Sequence, residues 1–467
     1  MKLIFDVSDK PKAGQLVVFA LQQMLAILAA TIAVPLIIGN GLTPAAAMFG
    51  AGVGTIVYIL FTKRKSPVFL GSSFAFLGSM AAAFAGGVSM QLGMLGLIVG
   101  AFLAGLVYVV IAIVVKFVGV GWLNKLMPAV VIGPTVAIIG LSLAGNAVGD
   151  LLKGDVTKQV TEYAVSTDSG TPEIIETVSN VPVGSSYVAL ICGLITLAVV
   201  MLCSTYGKKT LRLIPFIIGI LAGYAAAAIF TVIGNICDID ALKIVDFSVF
   251  SSYMLTDGSV SLKTFVSLPD FAFVSGLKGL KEFDFTYFAT IFVAYVPVAL
   301  VVFAEHVADH KNLSSIIDHD LLEEPGLTRT LLGDGVGSIA GALFGGCPNT
   351  TYGESVACVA ITGNASVVTI FAAAVGCMLF SFITPLVAFV DSIPACVMGG
   401  VCIALYGFIA VSGLKMIQDA NLDDNRNLFV VSVILIAGIG GLTLTFGDIT
   451  LTEVAAALIL GCVAFFL

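Results

Sequence analysis

Fourteen predominantly apolar runs divide the chain, near 14–38, 45–61, 68–85, 93–118, 123–146, 185–204, 213–235, 285–308, 330–345, 350–363, 365–390, 394–412, 427–443 and 450–467. Many approach the ~20 residues that carry a helix across a bilayer. No alternating ten-residue pattern of a membrane barrel is present. The pattern predicts an all-α polytopic membrane protein of fourteen transmembrane segments.

Two of the runs, 68–85 and 350–363, are short and open on polar, Gly- and Pro-marked residues. The stretch from Gly345 to Thr362 contains Cys347-Pro348-Asn349-Thr350-Thr351-Tyr352-Gly353-Glu354, which no lipid-facing helix would carry. The third run begins Ser66-Pro67-Val68-Phe69-Leu70-Gly71-Ser72-Ser73-Phe74, again a proline, two adjacent hydroxyls and an aromatic. Each reads as a broken segment whose interrupted backbone lines a polar cavity near the midplane. Two such segments at matching positions of two seven-segment halves predict a 7+7 inverted repeat.

Long polar stretches at about 149–184 and 236–284 both fall outside if the N-terminus is inside, and could form small hairpins. That orientation puts 15 of the 21 basic residues inside, a positive-inside asymmetry. Polar residues from Met1 to Ala13 precede the first run without a cleavable signal pattern, so that run is expected to insert and stay. The segment Lys311–Thr328 reads as a short amphipathic connector on the inner side.

Composition agrees: 59% of residues are hydrophobic and 11% charged, against ~25% charged in soluble domains. A net charge of −8 argues against nucleic acid as a partner. The nine cysteines form no CxxC pair and read as core residues. No phosphate-binding loop, dinucleotide fingerprint or hydrolase elbow is present, which leaves an ATP-driven pump or a membrane hydrolase without support.

The second chemical constellation is Ala304-Glu305-His306-Val307-Ala308-Asp309-His310, at the inner end of the eighth run. Glu305 and Asp309, four apart, share a helical face. A carboxylate this deep costs about 2.5–3.5 kcal/mol on insertion scales, so substrate or proton binding is its natural reason. His306 and His310 have metal-ligand spacing, but no third ligand cluster accompanies them and no metal is expected.

Gly71-Ser72-Ser73-Phe74-Ala75-Phe76, Gly121-Trp122-Leu123, Ala304-Glu305-His306-Val307, Pro325-Gly326-Leu327 and, above all, Pro348-Asn349-Thr350-Thr351-Tyr352-Gly353-Glu354 resemble the nucleobase–ascorbate transporter family, in its uracil branch. The resemblance covers nearly the whole chain. It implies a core domain from 1–122 (segments 1–4) and 285–390 (segments 8–11), and a gate domain from 123–235 (segments 5–7) and 391–467 (segments 12–14). The stretch 236–284 would be an outside loop, and segments 3 and 10 would hold short antiparallel β-strands.

The family's substrate contacts carry over to Glu305, Glu354, Phe74 and Gly353, with Ala30 and Tyr352 lining the pocket. The implied function is proton-coupled uracil import by alternating access, with Glu305, Asp309 and His310 as coupling residues. A homodimer in the bacterial inner membrane, with a cytoplasmic N-terminus and no cofactor, is implied with it. The chain departs from the family pattern at Gln22-Gln23, where Gln-His is usual, and at Asp309, where relatives commonly place histidine.

Uracil's ring N–H groups suit carboxylate acceptors, its carbonyls suit freed backbone N–H groups, and Phe74 could stack on its face. Alternatives are a purine permease for xanthine, urate or guanine, and an anion exchanger or channel on the same fold. A metal-dependent membrane enzyme using His306 and His310 is the remotest reading.

Overall fold

The computed structural model describes residues 3–119, 128–166, 173–208, 210–254, 259–418, 420–446 and 449–466. Gly121-Trp122-Leu123, the start of the predicted run at 123, and Lys2, Lys125 and Lys209 of the inside basic set lie outside the described residues.

The chain opens with α1 (Ala13–Ile38) and α2 (Pro44–Phe61), then β1 (Leu70–Ser72), α3 (Leu77–Ala83) and α4 (Met90–Val118). Helices α5 (Ala129–Ser142) and α6 (Ala144–Asp150) lead into a hairpin, β2 (Thr157–Ser166) and β3 (Glu173–Pro182). Next come α7 (Ser186–Tyr206), α8 (Pro215–Cys237), the long α9 (Phe285–Ile317) and α10 (Leu327–Gly345). Strand β4 (Asn349–Thr351) precedes α11 (Gly353–Thr362), α12 (Val367–Phe380), α13 (Thr384–Asp391), α14 (Ala395–Ile417) and α15 (Asn425–Ile439). A short hairpin, β5 (Leu444–Phe446) and β6 (Ile449–Leu451), leads to α16 (Glu453–Phe466).

Among the described residues, eight helical stretches are long and apolar enough to cross a membrane on their own. They correspond to α1, α2, α4, α5 with α6, α7, α8, α9 and α14. The apolar run at 365–390 divides into α12 and α13 around Ser381–Ile383. Pro385 opens the new helix, while the Thr384 hydroxyl donates to the Lys263 carbonyl at 2.8 Å, so the break is pinned from outside. Helix α9 runs nine residues past the predicted end at 308 and ends at Asp318 in a left-handed conformation.

The two polar stretches differ from each other. The first forms the β2–β3 hairpin, in register from Thr157 opposite Pro182 to Ser166 opposite Glu173. The stretch 236–284 is instead a string of short helical turns, Asp240–Leu242, Ser248–Met254, Leu262–Thr264, Ala272–Gly276 and Leu277–Lys281. Three of its buried residues, Ile244, Val245 and Ala272, pack into the main core, and they do not alternate as strand positions would.

Helices α2 and α10 cross almost backbone to backbone. A Cβ on Gly50 would stand 2.4 Å from the Gly341 carbonyl oxygen, and one on Gly54 would meet Asn349 Nδ2 at 2.5 Å. Small residues permit such approaches where lipid offers no hydrophobic drive between helices. The crossing carries β1 and β4, which pair antiparallel with Leu70 opposite Thr351, Gly71 opposite Thr350 and Ser72 opposite Asn349. Two three-residue strands leave backbone groups unpaired, and side chains of the crossing helices satisfy them. Thr55 on α2 accepts from the Leu70 N–H at 2.9 Å and donates to the Leu70 carbonyl at 3.1 Å. Ser338 on α10 accepts from the Asn349 N–H at 3.0 Å, and the Asn349 side chain donates to the Gly50 carbonyl at 3.1 Å.

Candidate functional site

Helix α9 presents two different chemistries because adjacent residues stand ~100° apart around its axis. Glu305 and Asp309 face a cavity of about 350 Å³, whose lining also includes Gly353 and Glu354 from the first turn of α11. Acidic groups separated by dozens of residues therefore meet because β1 and β4 hold the start of α11 against α9. Asp309 Oδ2 accepts a 2.8 Å hydrogen bond from the hydroxyl of Thr351, the last residue of β4. A Cβ on Gly353 would stand 3.8 Å from Asp309 Oδ1, so the bare glycine backbone borders that carboxylate directly. Helix α11 also begins here, and a first turn leaves N–H groups without helical partners.

Gln23 of α1 fixes the next residue along. Its side-chain amide donates to Ser355 Oγ, which also accepts the Phe69 N–H at 3.1 Å. Glutamine at this departure from the family pattern thus ties α1 to the segment carrying Glu354. The remaining wall is largely apolar and comes from α5, α8 and α14, through Val136, Phe216, Leu405, Phe408 and Ile409. Three polar residues in the lining, Ser204, Arg212 and Ser412, were not among the expected site residues.

His306 and His310 sit on the buried side of α9, both with 0% exposure. His310 Nδ1–H donates to the His306 carbonyl at 2.7 Å, so Nε2 accepts from the Tyr58 hydroxyl at 2.5 Å. Tyr58 in turn accepts from Ser66 at 2.7 Å. The Thr330 hydroxyl donates to the Leu327 carbonyl at 3.0 Å and accepts from His306 Nε2–H at 3.0 Å. His306 Nδ1 and Asp334 Oδ2, 2.7 Å apart and both fully buried, hold one proton between them.

Metal-ligand spacing therefore has another explanation: every imidazole nitrogen of the pair is engaged by protein. Among the described residues no group of three or more His, Cys, Asp or Glu is arranged to hold a metal ion. His310, expected beside the coupling carboxylates, points away from the cavity toward α2.

The other three expected contacts do not line the cavity. Phe74 packs edge-on against Tyr406, the residue after the cavity-lining Leu405, with ring centres 5.8 Å apart. The Tyr352 hydroxyl donates to the Ser72 carbonyl at 2.7 Å, and its ring lies where a Cβ on Gly71 would come within 2.4 Å. Ala30 is 1% exposed in the main core. Phe74 and Tyr352 thus pack next to the strand pair and Ala30 within the core, none of them in the cavity lining.

Residues 14–446 match the model of a permease family, that of the xanthine and uracil permeases. The chain is 36% identical to the uracil permease of Bacillus caldolyticus over 465 residues, 98% of this chain and 93% of that protein. It is 35% identical to the uracil permease of Bacillus subtilis over 466 residues, covering 99% and 94%. The Escherichia coli K12 uracil permease is 33% identical over 457 residues, covering 97% and 91%.

Among solved structures, the transmembrane domain of the cyanobacterial bicarbonate transporter BicA superposes with a TM-score of 0.60 at 12% identity, over 99% of this chain and all of that one. SLC26A9 gives 0.60 at 12% identity over 97% of this chain and 65% of its own. At that identity the likeness speaks for the fold alone. Matched along most of its length by the family model and by relatives above 30% identity, the chain belongs to the nucleobase–ascorbate permease family and is a multi-pass membrane transporter rather than an enzyme.

Proposed function

We propose that the protein imports uracil together with protons, by alternating access to the cavity between α9, α11 and α14. The observation that carries this reading is that Glu305 and Glu354, with Gly353 beside them, line one apolar-walled cavity of about 350 Å³. Uracil is a neutral planar ring with two N–H donors and two carbonyl acceptors. Charged acceptors make the stronger hydrogen bonds, and first-turn N–H groups of α11 are the matching donors for a carbonyl. The relatives named uracil permeases support the same substrate. Phe74 and Tyr352 then shape the site from beside the strand pair, and Ala30 from the core.

The coupling proton goes to Glu305, with Asp309 as its neighbour on the same face. Protonation lets the loaded site move without a bare charge in hydrocarbon. In this reading fourteen segments form a 7+7 inverted repeat, with a core of 1–122 and 285–390 moving against a gate of 123–235 and 391–467. The N-terminus is cytoplasmic, the membrane is the bacterial inner one, and the assembly is a homodimer. A potential of 100 mV supplies about 2.3 kcal/mol per coupled charge, roughly a fiftyfold accumulation.

Uptake of labelled uracil by proteoliposomes under an imposed pH gradient tests this directly. Accumulation that collapses with a protonophore, and competes with uracil before xanthine, urate, sulfate or bicarbonate, is expected. Preferential competition by xanthine or urate would assign the purine reading, and bicarbonate or sulfate flux without uracil uptake the anion reading.

A further inference from the structure

A second cavity, of about 400 Å³, lies on the far side of α2 from the strand pair, between the end of that helix and the start of α12. Its walls are apolar, including Ile56, Leu60, Val368 and Phe371, and its lining contains two cations, Lys10 and Arg64. We propose that this groove binds an anionic phospholipid of the surrounding membrane, with the phosphate on Lys10 and Arg64 and an acyl chain along α2 and α12.

The groove is built where the N-terminal stretch meets the turn that follows α2. The N-terminal stretch, a polar lead-in by sequence, is sewn to the α11–α12 connection. Ile4 N–H donates to the Gly363 carbonyl at 2.7 Å, Ala365 N–H to Phe5 at 2.9 Å and Val367 N–H to Val7 at 3.2 Å. Ser366 Oγ closes the run by donating to the Asp9 carbonyl at 2.6 Å. These bonds set Val7, Ser8 and Lys10 opposite the end of α2. On the other side the chain reverses through Lys63 and Arg64, at φ of 53° and 59°, so that Arg64 lines the same groove as Leu60. Non-glycine residues adopt that left-handed region uncommonly.

Charge distinguishes this groove from an ordinary lipid-facing crevice. Among the described residues neither Lys10 nor Arg64 forms an ion pair, whereas Lys65 next door is paired with Glu324. The nearest acids in sequence, Asp6 and Asp9, are exposed and stand outside the lining, with Asp9 Oδ2 accepting the Asp6 N–H at 2.8 Å and Asp6 Oδ1 the Val7 N–H at 2.7 Å. Leu60 and Phe371 are 61% and 45% exposed, an apolar surface that a membrane protein presents to acyl chains. Basic groups beside apolar grooves between membrane helices recognise anionic headgroups. A zwitterionic lipid brings its own ammonium to the same cations, which disfavours it.

The test uses delipidated full-length protein in neutral detergent, with thermal unfolding and native mass spectrometry as readouts. Dioleoylphosphatidylglycerol is expected to raise the melting temperature by several degrees more than dioleoylphosphatidylcholine at equal mole fraction, and to leave one tightly retained lipid in the mass spectrum. Lys10→Ala with Arg64→Ala should remove most of that preference, while Lys10→Arg with Arg64→Lys, which keeps both charges, should retain it. Phe371→Trp, narrowing the groove with both cations intact, should also weaken retention. Equal stabilisation by the two lipids would overturn the proposal, as would full preference in the double alanine variant. Stabilisation by inorganic phosphate equal to that by the lipid would replace it with a soluble-anion site.

Discussion

The hydroxyl of Thr351 donates to Asp309 across 2.8 Å, joining the end of β4 to the helix face that carries Glu305. A hydrogen bond to a charged acceptor contributes about 1.5–3 kcal/mol. Thr351→Val keeps the side-chain shape and removes the donor. It should weaken uracil binding roughly tenfold in a calorimetric titration, while Thr351→Ser stays within a factor of two or three. Equal affinity in all three proteins would show that this contact does not position the site.

The His306–Asp334 pair offers a stability prediction separate from transport. Both side chains are fully buried and 2.7 Å apart, so removing either leaves a partner stranded. Breaking such a pair costs about 3–5 kcal/mol. His306→Ala and Asp334→Ala should each lower the melting temperature markedly, and the double variant should cost far less than the two together. Additive losses would mean that the two residues do not interact.

Close crossing of α2 and α10 makes Gly54 intolerant of bulk. A Cβ there would lie 2.5 Å from Asn349 Nδ2 and 2.8 Å from the Gly337 carbonyl oxygen, and the second neighbour is backbone that cannot swing aside. Gly54→Val should therefore displace β4 and lose both folded yield and uracil binding. Gly145→Ala, at a glycine with nothing within 4 Å, is the control that should be neutral.

On the polar side of the molecule, Asp155 Oδ1 accepts the Ala395 N–H at 3.0 Å at the start of α14. Burial, reinforced by Asp246 and Asp150, pushes its carboxyl up from 3.8 to about 6. A raised folded value means that the folded state holds the proton more tightly than the unfolded one. This contribution is full below about 3.8 and is lost as pH rises through about 6. Asp155→Asn should flatten that part of the melting-temperature profile between pH 4 and 7, provided it is compared with the parent protein point by point. An unchanged slope would remove Asp155 as its source.

Why some of this was readable in the sequence and some was not follows from where each residue stands. Glu305 and Glu354 were conspicuous because a carboxylate inside an apolar run is costly. The same argument applies to Asp334, in the run 330–345, whose partner His306 stands 28 residues away in sequence. For His306 and His310 a four-residue spacing fixed a shared face of α9 but not what that face meets, which is Asp334, Thr330 and Tyr58. Arg212 counted only as one basic loop residue, since its place beside the cavity depends on how α7 and α8 pack against each other and against α14. Phe74, Tyr352 and Ala30 rested on resemblance, and strand geometry decides how near each stands to the cavity.

The account turns on two carboxylates serving one uncharged ligand, and isothermal titration of uracil into purified protein measures that most directly. Glu305→Gln and Glu354→Gln each keep side-chain size; the first can no longer take up or release a proton to suit the ligand, and the second loses a charged acceptor, at about 1.5–3 kcal/mol. Each should therefore bind uracil at least tenfold more weakly than the parent while remaining folded by its melting curve. Parent-like affinity in both variants would contradict the central claim.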